Sequence, residues 1–256
     1  MSPTRPSARD FRKRLTGGEH VLGTFIKIPT SHSVEIIGGL GYDYVIIDQE
    51  HAPFDRAAID VACLAARAVN TAAIIRVAEA TPASILSVLD CGAAGVMVPH
   101  VDNPARAREI AEACRYRGGT RGFANTTRAG GYGGASFDEH IAQQDAEVAC
   151  IAMIEDASAL PHLEDIAATP GLDAFFIGRG DLTAALGVEK MKQAVATITA
   201  AGRKTGKRMI ALVSSKEDAR EMRELGVTGF AFSNDHNLIK AAAAQGLKDF
   251  GDPKAW

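Results

Sequence analysis

Five short stretches of this 256-residue chain place ionisable side chains directly behind apolar, β-branched runs. They are Asp48-Gln49-Glu50-His51, Arg76, Pro99-His100, Glu155-Asp156 and Gly178-Arg179-Gly180-Asp181. Glu155 and Asp181 are carboxylates that would face one cavity if their strands were neighbours. Such a pair repels unless a cation shares it, and a hard divalent ion such as Mg²⁺ or Mn²⁺ suits an all-oxygen donor set. Asp181 also has a plainer reading as the cap of the helix that follows. Two glycines ahead of that helix would expose N–H groups of Gly180 and Asp181 to an anion at its positive end. Arg76 at a strand end needs an anionic or strongly dipolar partner. That partner is either a substrate oxygen or a structural ion pair with Asp48 or Glu50. His51 can move protons near neutral pH, with acidic neighbours to orient its ring, or it is a surface loop histidine. His20, His140, His162 and His236 receive no role.

The elements that must position these residues can be read from the same runs. Strands are predicted at 21–27, 44–48, 73–77, 94–98, 149–155, 174–178, 208–213 and 229–233. Several are apolar on nearly every residue, which suits parallel strands covered on both faces. Between them lie Ala-rich stretches with helical spacing, among them 55–69, 104–116 and 217–225. Pro53, Pro82 and Pro104 stand near the predicted helix starts, the last behind a capping-type Asn103. Eight strand–helix units in 256 residues, about 32 each, favour a single-domain (β/α)8 TIM barrel spanning 1–256. An open doubly wound sheet is the rival. In a barrel the site lies at the C-terminal ends of the strands, where the ionisable residues fall. The spacing breaks once, at a Gly/Arg-rich segment, 116–134, which reads as a flexible surface loop or as a lid.

Composition limits the partners. Lys and Arg total 28 against 31 Asp and Glu, a net charge of −3. No concentrated positive field is available for nucleic acid. No apolar run approaches the ~20 residues of a membrane span, and the polar N-terminus lacks a secretory pattern. The four cysteines form no C-x-x-C pair and read as reduced core thiols of a cytoplasmic protein.

Taken in order, these motifs resemble the HpcH/HpaI aldolase family, class II pyruvate aldolases that include 4-hydroxy-2-oxoheptanedioate aldolases. The resemblance runs over about residues 20 to 235. It rests on Asp48-Gln49-Glu50-His51, Arg76, the run from Leu89-Asp90 through Gly92-Ala93, Gly95 and Met97 to Pro99, Ile154-Glu155, and Gly178-Arg179-Gly180-Asp181-Leu182. Gly23-Thr24-Phe25 and Arg121-Gly122 add to it. It implies a (β/α)8 barrel assembled as a hexamer, a trimer of dimers. It implies Glu155 and Asp181 as ligands of Mg²⁺, Mn²⁺ or Co²⁺, Arg76 on the 2-oxo oxygen, and His51 as acid/base. His51 would pair with the residue matching Asp90, which in relatives can come from a neighbouring subunit. The substrates implied are a small 2-oxo acid, pyruvate or hydroxypyruvate, and an aldehyde. Cleavage needs a base on the 4-hydroxyl and an electron sink at C2, which the metal and Arg76 would provide. The substrate carboxylate would lie on the N–H groups of Gly180 and Asp181. No lysine occupies a strand end as a Schiff-base nucleophile would, Lys27 being a partial exception. Met153, Arg179 and Gly118-Gly119 depart from the family pattern and bear on the substrate. An alternative is an acyl-CoA or citrate-type lyase of the citrate-lyase-β branch, with Arg115, Arg117 and Arg121 lining a groove for the nucleotide.

Overall fold

The computed structural model describes residues 6–251. Met1–Arg5, half of the polar N-terminal stretch, lie outside the described residues. Eight strands form a closed, all-parallel barrel in sequence order. They are β1 (Val21–Ile26), β2 (Tyr44–Asp48), β3 (Ala72–Arg76), β4 (Gly95–Val98), β5 (Ala149–Ile154), β6 (Ala174–Ile177), β7 (Arg208–Val213) and β8 (Gly229–Asn234). The eight expected runs agree with these within a residue or so at each end. The rival open sheet is excluded, because β1 pairs with both β2 and β8.

A helix α1 (Phe11–Gly17) precedes the barrel. Helices α2 (Ser31–Gly39), α3 (Arg56–Ala68), α4 (Pro82–Asp90) and α5 (Pro104–Ala113) follow the first four strands in turn. After them come α6 (Phe137–Glu147), ahead of β5, and α7 (Leu163–Ala167), after it. Then follow α8 (Arg179–Leu186), α9 (Val188–Thr205), α10 (Lys216–Glu224) and α11 (Asp235–Phe250). Side-chain caps start most of the longer helices: Asp55 accepts from Ala58 N–H, and Asn103 from Arg106 N–H. Pro82 and Pro104 occupy first-turn positions, where the missing N–H costs nothing. Pro53 does not; it lies in the loop ahead of the Asp55 cap.

The strand period of two divides the core. One buried cluster fills the barrel and includes Phe25, Tyr44, Ile46, Ile74, Met97, Ile151, Met153 and Phe176. Phe11 and Leu15 of α1 join it and close the N-terminal mouth, with the Phe11 and Tyr44 rings 5.1 Å apart. Tyr44 fits because Gly23 faces it; a Cβ there would lie 2.4 Å from the ring. The alternate residues, Val45, Ile47, Ala73, Ile75, Val96, Ala152 and Ile154, pack outward against the helices. Burial of such side chains contributes ~2 kcal/mol each.

The same alternation fixes the rim. Two residues beyond Phe25, Ile46, Ile74 and Met153 on the inward parity stand Lys27, Asp48, Arg76 and Glu155.

The segment 116–134 lies elsewhere. Because α5 runs back from the rim, the stretch between it and β5 sits at the N-terminal end of the barrel. Tyr116 and Arg117 N–H groups donate to Asp145, and Arg128 pairs with Asp60 at 2.6 Å. Within one chain the segment is therefore neither a lid over the rim nor an untethered loop.

Candidate active site

At the C-terminal rim, Asp48 is the buried hub. Its Oδ1 accepts from Arg76 Nε at 2.8 Å and His51 N–H at 3.1 Å. Its Oδ2 accepts from Arg76 Nη2 at 2.6 Å and lies 2.7 Å from Lys27 Nζ. Burial favours the neutral acid, but the two cations and the His51 N–H outweigh it and hold the carboxyl down at about 2. Both readings of Arg76 hold: it forms the ion pair with Asp48, and it lines the cleft. Its third nitrogen, Nη1, is 3.2 Å from Glu50 Oε2. That contact lacks hydrogen-bond geometry, and Glu50 Oε2 remains a buried oxygen with no hydrogen bond. The guanidinium carbon also lies 5.1 Å from the centroid of the Phe25 ring.

Glu155 is buried beside this hub. Its Oε1 accepts the His100 N–H at 2.9 Å. Gly178 makes room for it: a Cβ there would stand 2.3 Å from the Glu155 Cβ. Burial pushes the Glu155 carboxyl up to about 7; the His100 contacts oppose this, while the charges of Asp181 and Glu50 add to it. His100 itself has left-handed backbone, φ 54°. Its Nδ1 is 3.0 Å from Asp156 and its Nε2 3.8 Å from Glu50. Burial works against its cation, but Asp156, Glu155 and Glu50 prevail and raise its pKa. Sequence reasoning saw His100 at a strand end without giving it a role; the signal was its neighbour Pro99 closing β4.

Asp181 stands in the first turn of α8 and makes no capping bond, so the capping alternative for it is not realised. Gly178 occupies the cap position. Arg179, which departs from the family pattern, lines the cleft beside Gly180 and Asp181. Its guanidinium binds Asp218 at 2.7 Å and the Leu212 carbonyl. His51 has a half-exposed ring 3.7 Å from Glu50. Lys27, Arg76, Met153, Gly180 and Asp181 share the wall of one cleft of about 730 Å³.

A divalent cation fits this donor set. Glu155 and Asp181 repel one another, and Glu50 Oε2 lacks a donor. Among the described residues no three His, Cys, Asp or Glu side chains converge as a cage. Two carboxylates leave most positions to water and substrate oxygens, as hard cations in enzyme sites commonly do.

The remaining expected site residue, Asp90, is not brought to this rim. It ends α4, at the opposite end of the barrel. Its Oδ1 is 4.0 Å from Arg121 Nη2, and both atoms are buried without hydrogen bonds. Burial pushes the Asp90 carboxyl up, against the pull of Arg121, Arg56 and His140. Arg121 lies over Tyr116 at 4.5 Å, and the Tyr116 hydroxyl is 3.0 Å from His140 Nε2. Arg115 pairs with Asp173 and Arg117 with Asp138. These arginines supply no groove for a nucleotide at the rim.

A closed parallel barrel with buried carboxylates, an arginine and histidines at its C-terminal mouth defines a (β/α)8 enzyme. The HpcH/HpaI aldolase/citrate lyase family model matches residues 22–242, and the chain belongs to that family. It is an enzyme of the carbon–carbon lyase class, an aldolase. It is 38% identical over 167 residues to a 2-dehydro-3,6-dideoxy-6-sulfogluconate aldolase of Pseudomonas putida; that match spans 65% of each chain, just under two thirds of the relative. It is 30% identical over 259 residues to a hydroxypyruvate/pyruvate aldolase of Deinococcus radiodurans, covering 96% of this chain and 91% of that one. A solved structure of a family protein from Burkholderia cenocepacia superposes with a TM-score of 0.89 at 29% identity, covering 95% of this chain and 100% of that one. Among the described residues no helix is long and apolar enough to cross a membrane.

Proposed function

We propose that this chain is a divalent-metal-dependent aldolase. It cleaves or forms 4-hydroxy-2-oxo acids from pyruvate or hydroxypyruvate and an aldehyde. The observation that carries the reading is Glu155: a buried carboxylate lifted to about 7 beside Asp181 and Glu50, behind a cleft walled by Arg76. Glu155 and Asp181 would hold Mg²⁺, Mn²⁺ or Co²⁺. When bound, such an ion supplies electrophilic pull on the 2-oxo acid.

The chain's own residues do the rest. The N–H groups of Gly180 and Asp181, in the first turn of α8, receive the substrate carboxylate. Arg76, fixed by two hydrogen bonds to Asp48, donates toward the 2-oxo oxygen. Its charge stabilises the enolate as negative charge grows there. His51 takes the proton of the 4-hydroxyl, the C3–C4 bond breaks, and the aldehyde leaves. The enolate is then protonated at C3 by water, and His51 gives up its proton to solvent to restore the free base. Run backwards, His51 returns a proton to the new alkoxide.

Asp90 raises the basicity of a His51 from a neighbouring copy, in a hexamer built as a trimer of dimers. Its location far from its own chain's rim supports an intersubunit role. The four free, buried thiols support a reducing, cytoplasmic setting. The test is direct. Metal-loaded protein is assayed with pyruvate or hydroxypyruvate and a panel of aldehydes. Carbon–carbon bond formation abolished by EDTA and restored by Mg²⁺ or Mn²⁺ is expected; no turnover with any pair would refute the reading.

A further inference from the structure

Lys27 stands just past the end of β1, on the inward parity. Its backbone is anchored: the N–H groups of Lys27 and Ile28 donate to the two oxygens of buried Asp235, each at 2.9 Å. Its ammonium is 2.7 Å from Asp48 Oδ2. Asp48 is fully buried behind two cations, whereas the Lys27 side chain is 22% exposed and Arg76 8%. The face shown to the cleft on this side is therefore cationic.

The two cations are not equally free. Arg76 has two nitrogens on Asp48 and the third against Glu50. An ammonium has three donors, and among the described residues Asp48 is the single partner of Lys27 Nζ. Two N–H groups stay open to the cleft. On the adjoining wall stands Ser233, with left-handed backbone at φ 61°. The β1–β8 register slips beside it, between Gly23 and Phe25. Strain of this kind in a non-glycine residue clusters at functional sites. Asn237 lies on the same wall. Among the described residues neither the Ser233 hydroxyl nor the Asn237 amide has a side-chain partner. A cation with spare donors that shares one cleft with an unpartnered hydroxyl and amide is the chemistry that recognises an oxyanion.

We infer that Lys27, with Ser233 and Asn237, binds a second anionic group of the substrate, a carboxylate at the end remote from the 2-oxo acid. The cleft then holds two anion positions, one at the start of α8 and one at Lys27. The selectivity rests on the aldolase reading for what the substrate is, but it is measured by binding alone.

The experiment compares two unreactive probes by titration calorimetry in excess Mg²⁺. One is 2-oxoglutarate, with a distal carboxylate; the other is 2-oxopentanoate, of equal chain length without it. The wild-type protein should bind 2-oxoglutarate about tenfold more tightly, and Lys27→Met should bring the two within about twofold. Lys27→Arg should keep most of the preference. Equal affinities in the wild type, absence of 2-oxoglutarate binding, or equal loss for both probes in Lys27→Met would overturn the inference. The last result would leave Lys27 as a prop for Asp48. If Lys27→Met does not fold, the wild-type ratio and Lys27→Arg still decide. Failure of the aldolase reading shows separately, as absence of turnover with pyruvate.

Discussion

Both ends of this barrel bury charge, and they treat it differently. At the C-terminal rim, Asp48 is held by Arg76, Lys27 and the His51 N–H, all within one chain. At the N-terminal end, Asp90 and Arg121 approach only to 4.0 Å and leave Asp90 Oδ1, Arg121 Nε and Arg121 Nη2 buried without hydrogen bonds. A buried orphan group costs about 1–3 kcal/mol. The Asp48 hub is thus preorganised by its own chain, while Asp90 and Arg121 make no hydrogen bond to each other within one copy. That difference suits the proposed division of labour, with substrate binding at the rim and Asp90 lent to a neighbour.

The largest effect should come from the rim. Glu155→Gln removes a proposed carboxylate ligand and should cut turnover by roughly a thousandfold or more, with Mn²⁺ affinity falling in parallel. The fold should not suffer. The carboxyl of Glu155 sits higher in the folded chain than in the unfolded one, so its ionised form costs stability as pH rises from ~4.5 through about 7. Metal-free Glu155→Gln should therefore melt at or above the wild-type temperature at pH 8. A clear drop in melting temperature would contradict this account of Glu155.

Arg76→Lys comes next. It keeps the charge but cannot span both oxygens of Asp48, and turnover should fall roughly a hundredfold. Activity near the wild-type level would show that the fork on Asp48 is merely structural. Asp90→Asn sharpens the other half of the comparison. A tenfold to hundredfold loss of turnover is expected, since under the proposed function it acts through His51 of another copy. The chemical-denaturation midpoint should move little, because Asp90 makes no hydrogen bond to Arg121. Loss of stability without loss of turnover would assign Asp90 to structure alone.

The smallest effect is a pH slope. Binding a cation requires Glu155 to lose its proton, so Mg²⁺ affinity should fall about tenfold per pH unit below 7 and level off above it. A flat calorimetric profile between pH 5.5 and 7 (about the span over which Glu155 titrates) would place the metal elsewhere.

Much of this was legible in the residues. Apolar runs such as Val45-Ile46-Ile47 gave the strands because burial on both faces leaves little room for polar alternation. The ordered motifs pointed to the rim set His51, Arg76, Glu155 and Asp181. Three things were hidden. The side on which segment 116–134 falls depends on the direction of α5, which a spacing count does not include. Lys27 as a second cation on Asp48 also went unnoticed, although the inward parity of Phe25 and Ile46 points to both residues. The orientation of Arg179 could not be read at all, since its partner Asp218 lies on α10, 39 positions away.

The most direct test of the central claim is a crystal of this protein soaked with Mn²⁺ and pyruvate. The account predicts Mn²⁺ between Glu155 and Asp181, with the pyruvate carboxylate at the Gly180 and Asp181 N–H groups and its oxo oxygen facing Arg76. Mn²⁺ bound away from both carboxylates, or pyruvate outside the cleft, would contradict it.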